Sequence, residues 1–195
     1  MKIWLARHGQ CFSNNSGRFT GKTDSRLSPL GRKTAKKVGK FLKKKIKKAD
    51  IIYSSPLRRA KDSAKIIARL LKCKSVLIEK SLGEQSFGLW EKKTGRQVEA
   101  RWPGSIAAWL KDPFKVTPEK GENYSGLEKR LLPFAKKIKS LPCKNVVIVS
   151  HANIRRVLAK ILLRLSEKQA LLVSKDYDAI ILIEPNKRKM KTFKA

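Results

Sequence analysis

The chain has 195 residues, is 41% hydrophobic and carries a formal net charge of +32. That length fits a single domain with a core of its own, and no apolar run reaches the roughly 18 residues of a membrane span, so a helical membrane protein is excluded. The chain enters a strand-like run at once, without an h-region or small-residue cleavage site, and a cytoplasmic location with no membrane partner is expected.

In chain order, Lys2–Leu5 is a short apolar run that ends abruptly in Ala6-Arg7-His8-Gly9. It reads as a buried strand feeding a loop. Residues 13–24 are rich in Gly, Ser and Asn and predict a loop. Ser28-Pro29 supplies an N-cap and a first-turn proline for a helix to about Lys48, with Val38, Phe41, Leu42 and Ile46 as its apolar stripe. The same helix holds the densest run of lysines, from Lys33 to Lys48. Such a charge admits a nucleic-acid or other polyanion partner, but no aromatic residues interleave the lysines to stack bases, which favours a solvated face.

Ile51–Ser54 predicts a second strand, and Ser55-Pro56 a cap for a helix carrying Ala60, Ala64, Ile67, Ala68 and Leu71. Ser75–Ile78 predicts a third strand. Prolines 103, 113 and 118 break the pattern over about 94–123, which reads as a lid-like insertion with a helix near Ser105–Leu110. Gly126–Ile138 has helical spacing, with Pro133 arguing for a kink or a break. Asn145–Ser150 is apolar throughout its middle, as a central strand should be, and ends on His151. Helices are predicted from about Asn153 to Leu165 and from Glu167 to Val173, and a last strand over Ala179–Ile183, with a frayed basic tail from Pro185. Alternating strands and helices predict one α/β domain over 1–195, a three-layer sandwich with a mostly parallel central sheet flanked by helices.

Three cysteines, Cys11, Cys73 and Cys143, are odd in number and widely spaced, which suggests neither a disulfide framework nor a zinc site. The chain has two histidines, His8 and His151, and both directly follow an apolar strand with arginine nearby. In open α/β folds ligands sit beyond the carboxyl ends of the strands. An imidazole there can attack as a nucleophile, and a guanidinium beside it favours an anionic substrate.

Five ordered stretches carry a resemblance. They are Arg7-His8-Gly9, the Asn14 and Arg18–Asp24 loop, Ser54-Ser55-Pro56-Leu57-Arg58-Arg59-Ala60, Gly83-Glu84-Gln85-Ser86-Phe87-Gly88, and Val149-Ser150-His151-Ala152-Asn153. Together they resemble the histidine phosphatase superfamily, which includes the phosphoglycerate mutases, and they cover nearly the whole chain. The resemblance implies a phosphoglycerate mutase-like fold and a phosphohistidine mechanism without cofactor or metal. His8 would attack phosphorus and Glu84 would protonate the leaving oxygen. Arg7, Arg59 and His151 would bind and stabilise the phosphoryl group. Asn14, Thr20, Gly21, Ala152 and Glu122 would contact or orient the substrate. Glu122 has a second reading, as the cap of the following helix, and Glu91 is the weaker candidate for the acid.

Two positions depart from the family pattern. Ala152 stands where glycine is usual, and Lys120-Gly121-Glu122-Asn123 replaces a Gly-Gly-Glu-Ser segment. The acid motif and the insert look like the phosphatase branch, with α-ribazole 5'-phosphate as the named candidate among small phosphorylated metabolites. A cofactor-dependent phosphoglycerate mutase is the alternative within the family. A catalytically weak polyanion-binding module is the alternative outside it. The oligomeric state stays open, with a dimer among the options.

Overall fold

A computed structural model describes residues 1–13 and 17–195. Its centre is a six-stranded sheet: β1 (Lys2–Arg7), β2 (Ile51–Ser54), β3 (Val76–Ile78), β4 (Asn145–Ser150), β5 (Ala179–Glu184) and β6 (Lys189–Lys194). The order is β3-β2-β4-β1-β5-β6. The first four strands are mutually parallel, β5 runs antiparallel to β1, and β6 antiparallel to β5. The helices are α1 (Pro29–Ile46), α2 (Arg58–Leu70), α3 (Gly95–Arg101), α4 (Ser105–Lys111), α5 (Tyr124–Lys139), α6 (Ala152–Leu163) and α7 (Glu167–Leu171). None of them is long and apolar enough to cross a membrane.

The central strands are apolar on both faces because both are covered. Trp4, Ala6, Val147 and Val149 face α1 and α2, where Val38, Leu42, Ala64 and Ile67 complete one core. Ile3, Leu5, Val146 and Ile148 face the other side, with α5 and α6. The three-layer expectation therefore holds. The 94–123 segment contributes Val98, Trp109 and Phe114 to that second core.

Pro133 does not break its helix, and α5 runs through it. A mid-helix proline costs about 3 kcal/mol. Six side chains of this helix, Tyr124, Leu127, Leu131, Phe134, Ala135 and Ile138, are buried in the core. Each large one contributes about 1.5–3 kcal/mol, so packing outweighs the proline. Ser55-Pro56 precedes its helix rather than capping it: the N-cap is Leu57, whose N–H donates to Ser55 Oγ at 3.2 Å.

The tail from Pro185 is also not frayed. It forms β6, paired with β5 from Glu184↔Lys189 to Ala179↔Lys194. Phe193 anchors it, 5.4 Å from the Phe41 ring and 6.2 Å from Trp4. The lysines that suggested disorder suit an exposed edge strand, where charge discourages pairing with a second sheet. The lysines of α1 and its C-terminal end, Lys33, Lys36, Lys37, Lys40, Lys43, Lys44, Lys45, Lys47 and Lys48, are all exposed.

Candidate active site

The site lies at the carboxyl ends of β1, β2 and β4, the middle of the parallel sheet. Beyond β1, His8 N–H donates to Ser150 O (2.9 Å) and Gly9 N–H to Ser63 Oγ (3.0 Å). Gly9 passes so close to α1 that a Cβ on it would lie 2.1 Å from the Gly31 carbonyl oxygen. Glycine is required there by contact, and the contact fixes the His8 backbone.

His8 is buried, and its Nδ1 lies 2.7 Å from the Gly9 carbonyl. A carbonyl only accepts, so Nδ1 carries the proton and Nε2 the lone pair. Arg59 Nε–H donates to that Nε2 at 3.3 Å. Burial holds the His8 pKa well below the ordinary histidine value, helped by the charges of Arg59 and Arg7. His8 is thus a neutral imidazole with Nε2 facing the arginine.

Arg59 is buried at the start of α2. Its Nη1 and Nη2 donate to Thr23 O (2.7 Å) and Gly21 O (2.8 Å). The His151 ring stands edge-on to His8, 4.9 Å between centroids. His151 is the N-cap of α6, and its Nε2 is 2.7 Å from Ser55 Oγ. Ser55 Oγ accepts from Leu57 N–H, and among the described residues the acceptor its own proton finds is His151 Nε2. The imidazole proton is then on Nδ1, which has no partner among the described residues. Burial, then His8 and Arg59, hold the His151 pKa well down too.

Glu84 follows a single 3₁₀ turn (Lys80–Leu82) and is buried, with Oε1 accepting from Gln85 N–H at 2.9 Å. Burial raises its pKa, and Arg59, Arg7 and Arg130 offset that only in part. Its loop is clamped from behind. Arg130 donates to Ser81 O and Gly83 O, and pairs with Glu122 at 3.2 Å. Glu122 Oε2 accepts from Ser86 N–H (2.9 Å), and Gln85 Nε2 donates to Glu122 O (2.6 Å). Asn153 joins the frame, donating to Gln85 Oε1 (2.9 Å) and accepting from the Tyr124 hydroxyl (2.7 Å).

The structure thus brings together Arg7, His8, Arg59, Glu84 and His151 from four separated stretches. Gly21 contributes through its carbonyl, and the Thr20 carbonyl accepts from Thr23 N–H (2.7 Å) to close the same turn. Glu122 braces the acid loop. Helix capping falls to Asn123, whose Oδ1 accepts from Gly126 N–H (2.8 Å), so asparagine does there what a serine could do. Ala152 is the first residue of α6 and is not among the residues with positive φ, so nothing in its backbone demands glycine. Asn14 lies outside the described residues.

Several residues were not singled out by sequence. Arg130, Gln85 and Tyr124 carry no local pattern that separates them from ordinary surface or core positions. Tyr177 is another. The Arg7 guanidinium sits 3.7 Å from its ring centre, and Arg7 Nη1 donates to the neighbouring Lys175 carbonyl (2.5 Å).

Glu91 is not a spare acid. Its carboxylate accepts from Lys22 N–H (3.0 Å), Thr23 N–H (3.1 Å), Thr23 Oγ1 (2.9 Å) and Phe87 N–H (3.2 Å). It lies so close that a Cβ on Gly21, at φ +38°, would come within 2.3 Å of it. Glu91 thereby holds the two carbonyls that hold Arg59. Glu91→Ala is expected to remove the carboxylate that accepts from these four donors and to loosen Arg59. A rise in KM for phosphoesters of roughly tenfold should result, with thermal stability down by about 1–3 kcal/mol. Steady-state kinetics and a melting curve check both.

A mostly parallel α/β sheet here carries two facing imidazoles, a buried arginine and a buried carboxylic acid beyond the carboxyl ends of its parallel strands, an arrangement suited to phosphoryl transfer. The chain belongs to the histidine phosphatase superfamily (branch 1), whose family model matches residues 3–194. Two Hydrogenobacter thermophilus proteins are 38% and 32% identical. The alignments cover 77% of this chain and 72% and 71% of theirs, and both proteins carry the name phosphoserine phosphatase, the first provisionally. The adenosylcobalamin/α-ribazole phosphatase of Salmonella typhimurium is 28% identical over 81% of this chain and 77% of its own. Among solved structures, a mycobacterial glucosyl-3-phosphoglycerate phosphatase with bound VO3 superposes with a TM-score of 0.86 at 27% identity, covering 99% of this chain and 97% of that one.

Proposed function

We propose that this phosphatase hydrolyses small phosphomonoesters in two steps through a phosphohistidine on His8. The observation that carries the reading is the His8 tautomer. With Nδ1–H held by the Gly9 carbonyl, Nε2 presents its lone pair beside the Arg59 guanidinium. Attack at phosphorus by Nε2 forms the P–N bond as the ester P–O bond breaks. Glu84, whose pKa burial raises, gives its proton to the departing alkoxide. Water then attacks phosphorus, the P–N bond breaks to release phosphate and return His8, and the Glu84 carboxylate takes the proton of the water. Arg7, Arg59 and the His151 Nδ1–H, which has no partner among the described residues, stabilise the charge on the phosphoryl oxygens. The 94–123 segment closes the leaving-group side as a lid.

The substrate belongs among small phosphorylated metabolites, and α-ribazole 5'-phosphate is one candidate. Turnover of p-nitrophenyl phosphate in excess EDTA tests the chemistry, and a requirement for added divalent metal would refute it. The pH profile of kcat/KM is a second check. His8 works neutral and its pKa is lowered, so the acid limb should lie well below the ordinary histidine value. Glu84 works protonated and its pKa is raised, so activity on alkyl phosphates should fall as pH rises through a value above that of an ordinary glutamate. An acid limb at an unperturbed histidine pKa would contradict this assignment.

A further inference from the structure

A second cationic site adjoins the first. A cavity of about 220 Å³ is lined by Trp109, Leu110, Tyr124, Arg156, Leu171 and Lys175, among others. Two of its wall residues belong to the frame of the phosphoryl site. The Tyr124 hydroxyl leads through Asn153 and Gln85 to the Glu84 loop. The Lys175 carbonyl receives Arg7. The cavity therefore lies on the Glu84 side of the site, where the alcohol part of an ester would extend.

Its charge is not accounted for by the phosphoryl chemistry. Arg7 and Arg59 suffice for a phosphoryl dianion. Arg155, fully buried, is engaged with the carbonyls of Ala179, Ser174 and Asp176. Arg156 differs from the many surface lysines. Its Nε and Nη2 are tied to the carbonyls of Val173 (3.1 Å) and Leu171 (2.5 Å), which fixes the guanidinium fork at the cavity wall. Among the described residues no carboxylate pairs with Arg156 or Lys175. Burial and the charges of Arg156 and Arg7 lower the Lys175 pKa, and Glu84 offsets them only in part, so the cations crowd one another at the cavity wall. Trp109, 7% exposed, lines the same cavity, and its indole N–H has no acceptor among the described residues.

We infer that this cavity binds an anionic group on the leaving alcohol, so that preferred substrates are small phosphomonoesters whose alcohol carries a carboxylate or a second phosphate. The inference rests on the phosphatase reading above and narrows its substrate class. A preorganised arginine fork beside an ammonium matches either anion. The apolar rim of Leu110 and Leu171 suits a short carbon chain between the two charges.

Three esters with the same three-carbon chain test it: n-propyl phosphate, 3-phosphooxypropanoate and propane-1,3-diyl bisphosphate. The wild-type protein should prefer one or both charged esters by roughly ten- to a hundredfold in kcat/KM, mainly through KM. Either ranking of the two supports the anion site and identifies its occupant. Arg156→Gln and Lys175→Gln should each pull the charged-to-neutral ratio towards one. Arg156 also supports the 171–173 backbone, so its variant could lose the fold. Lys175→Gln leaves those bonds in place and keeps the test decisive. Equal kcat/KM on all three esters, or a preference that survives Lys175→Gln and a folded Arg156→Gln, would overturn the inference while leaving the phosphatase standing. Failure to hydrolyse these esters and p-nitrophenyl phosphate alike would instead overturn the reading beneath it.

Discussion

His8→Ala is expected to abolish turnover, by roughly 10⁴-fold or more, the scale on which loss of a covalent nucleophile is felt. The same substitution should remove the covalent intermediate. Brief reaction of the wild-type protein with an ester labelled in its phosphoryl group, followed by a quench, should leave label on the protein. A P–N bond is labile to acid and survives alkali, and a phosphoserine behaves the other way round. Label released by acid and kept in alkali is therefore the expected signature. His151→Ala should slow turnover and still permit some labelling. The proposed part of His151 is an Nδ1–H donor to the phosphoryl oxygens, held in that tautomer by Ser55. Label that persists in the His8→Ala protein would move the nucleophile to His151 or Cys11 and overturn the mechanism.

His8 and His151 were legible in the sequence because each ends a strand whose apolar run marks a doubly covered sheet position. Once those strands are placed side by side, the two imidazoles must meet. Arg59 and Glu84 were legible through the motifs around them, since a short turn after a strand leaves little freedom in where the next side chain points. The supporting shell was not legible. Arg130 pairs with Glu122 eight residues away and reaches the Gly83 carbonyl across 47 residues of chain, and nothing in its helical neighbourhood sets it apart. Glu91 looked like a distant acid, because three of its four donors are backbone N–H groups and these leave no trace in side-chain identity. The edge strand β6 was missed for a related reason. Its lysines read as solvent-loving tail, whereas its pairing depends on the free edge of β5 and on one aromatic residue, Phe193.

Glu84→Gln should slow hydrolysis of alkyl phosphates by roughly 10²–10⁴-fold, the usual loss when a general acid is removed. An alkoxide is a poor leaving group and needs its proton as the P–O bond breaks. A nitrophenolate departs without one, so p-nitrophenyl phosphate should be much less affected. The environment of Glu84 explains how a carboxyl group can serve as the acid. Burial drives its pKa up, and the nearby arginines bring it only part of the way back. A bound phosphate dianion would engage those arginines and add a like charge beside the carboxylate, raising the pKa further. Glutamine keeps the acceptor oxygen that receives Gln85 N–H, so the loop clamped by Arg130 and Glu122 should survive the change. The measurement is kcat/KM against the pKa of the leaving alcohol for both proteins. A steeper dependence in Glu84→Gln than in wild type is the expected outcome. Parallel lines, with equal losses on alkyl and aryl esters, would remove Glu84 from the role of proton donor and reduce it to a group that shapes the pocket.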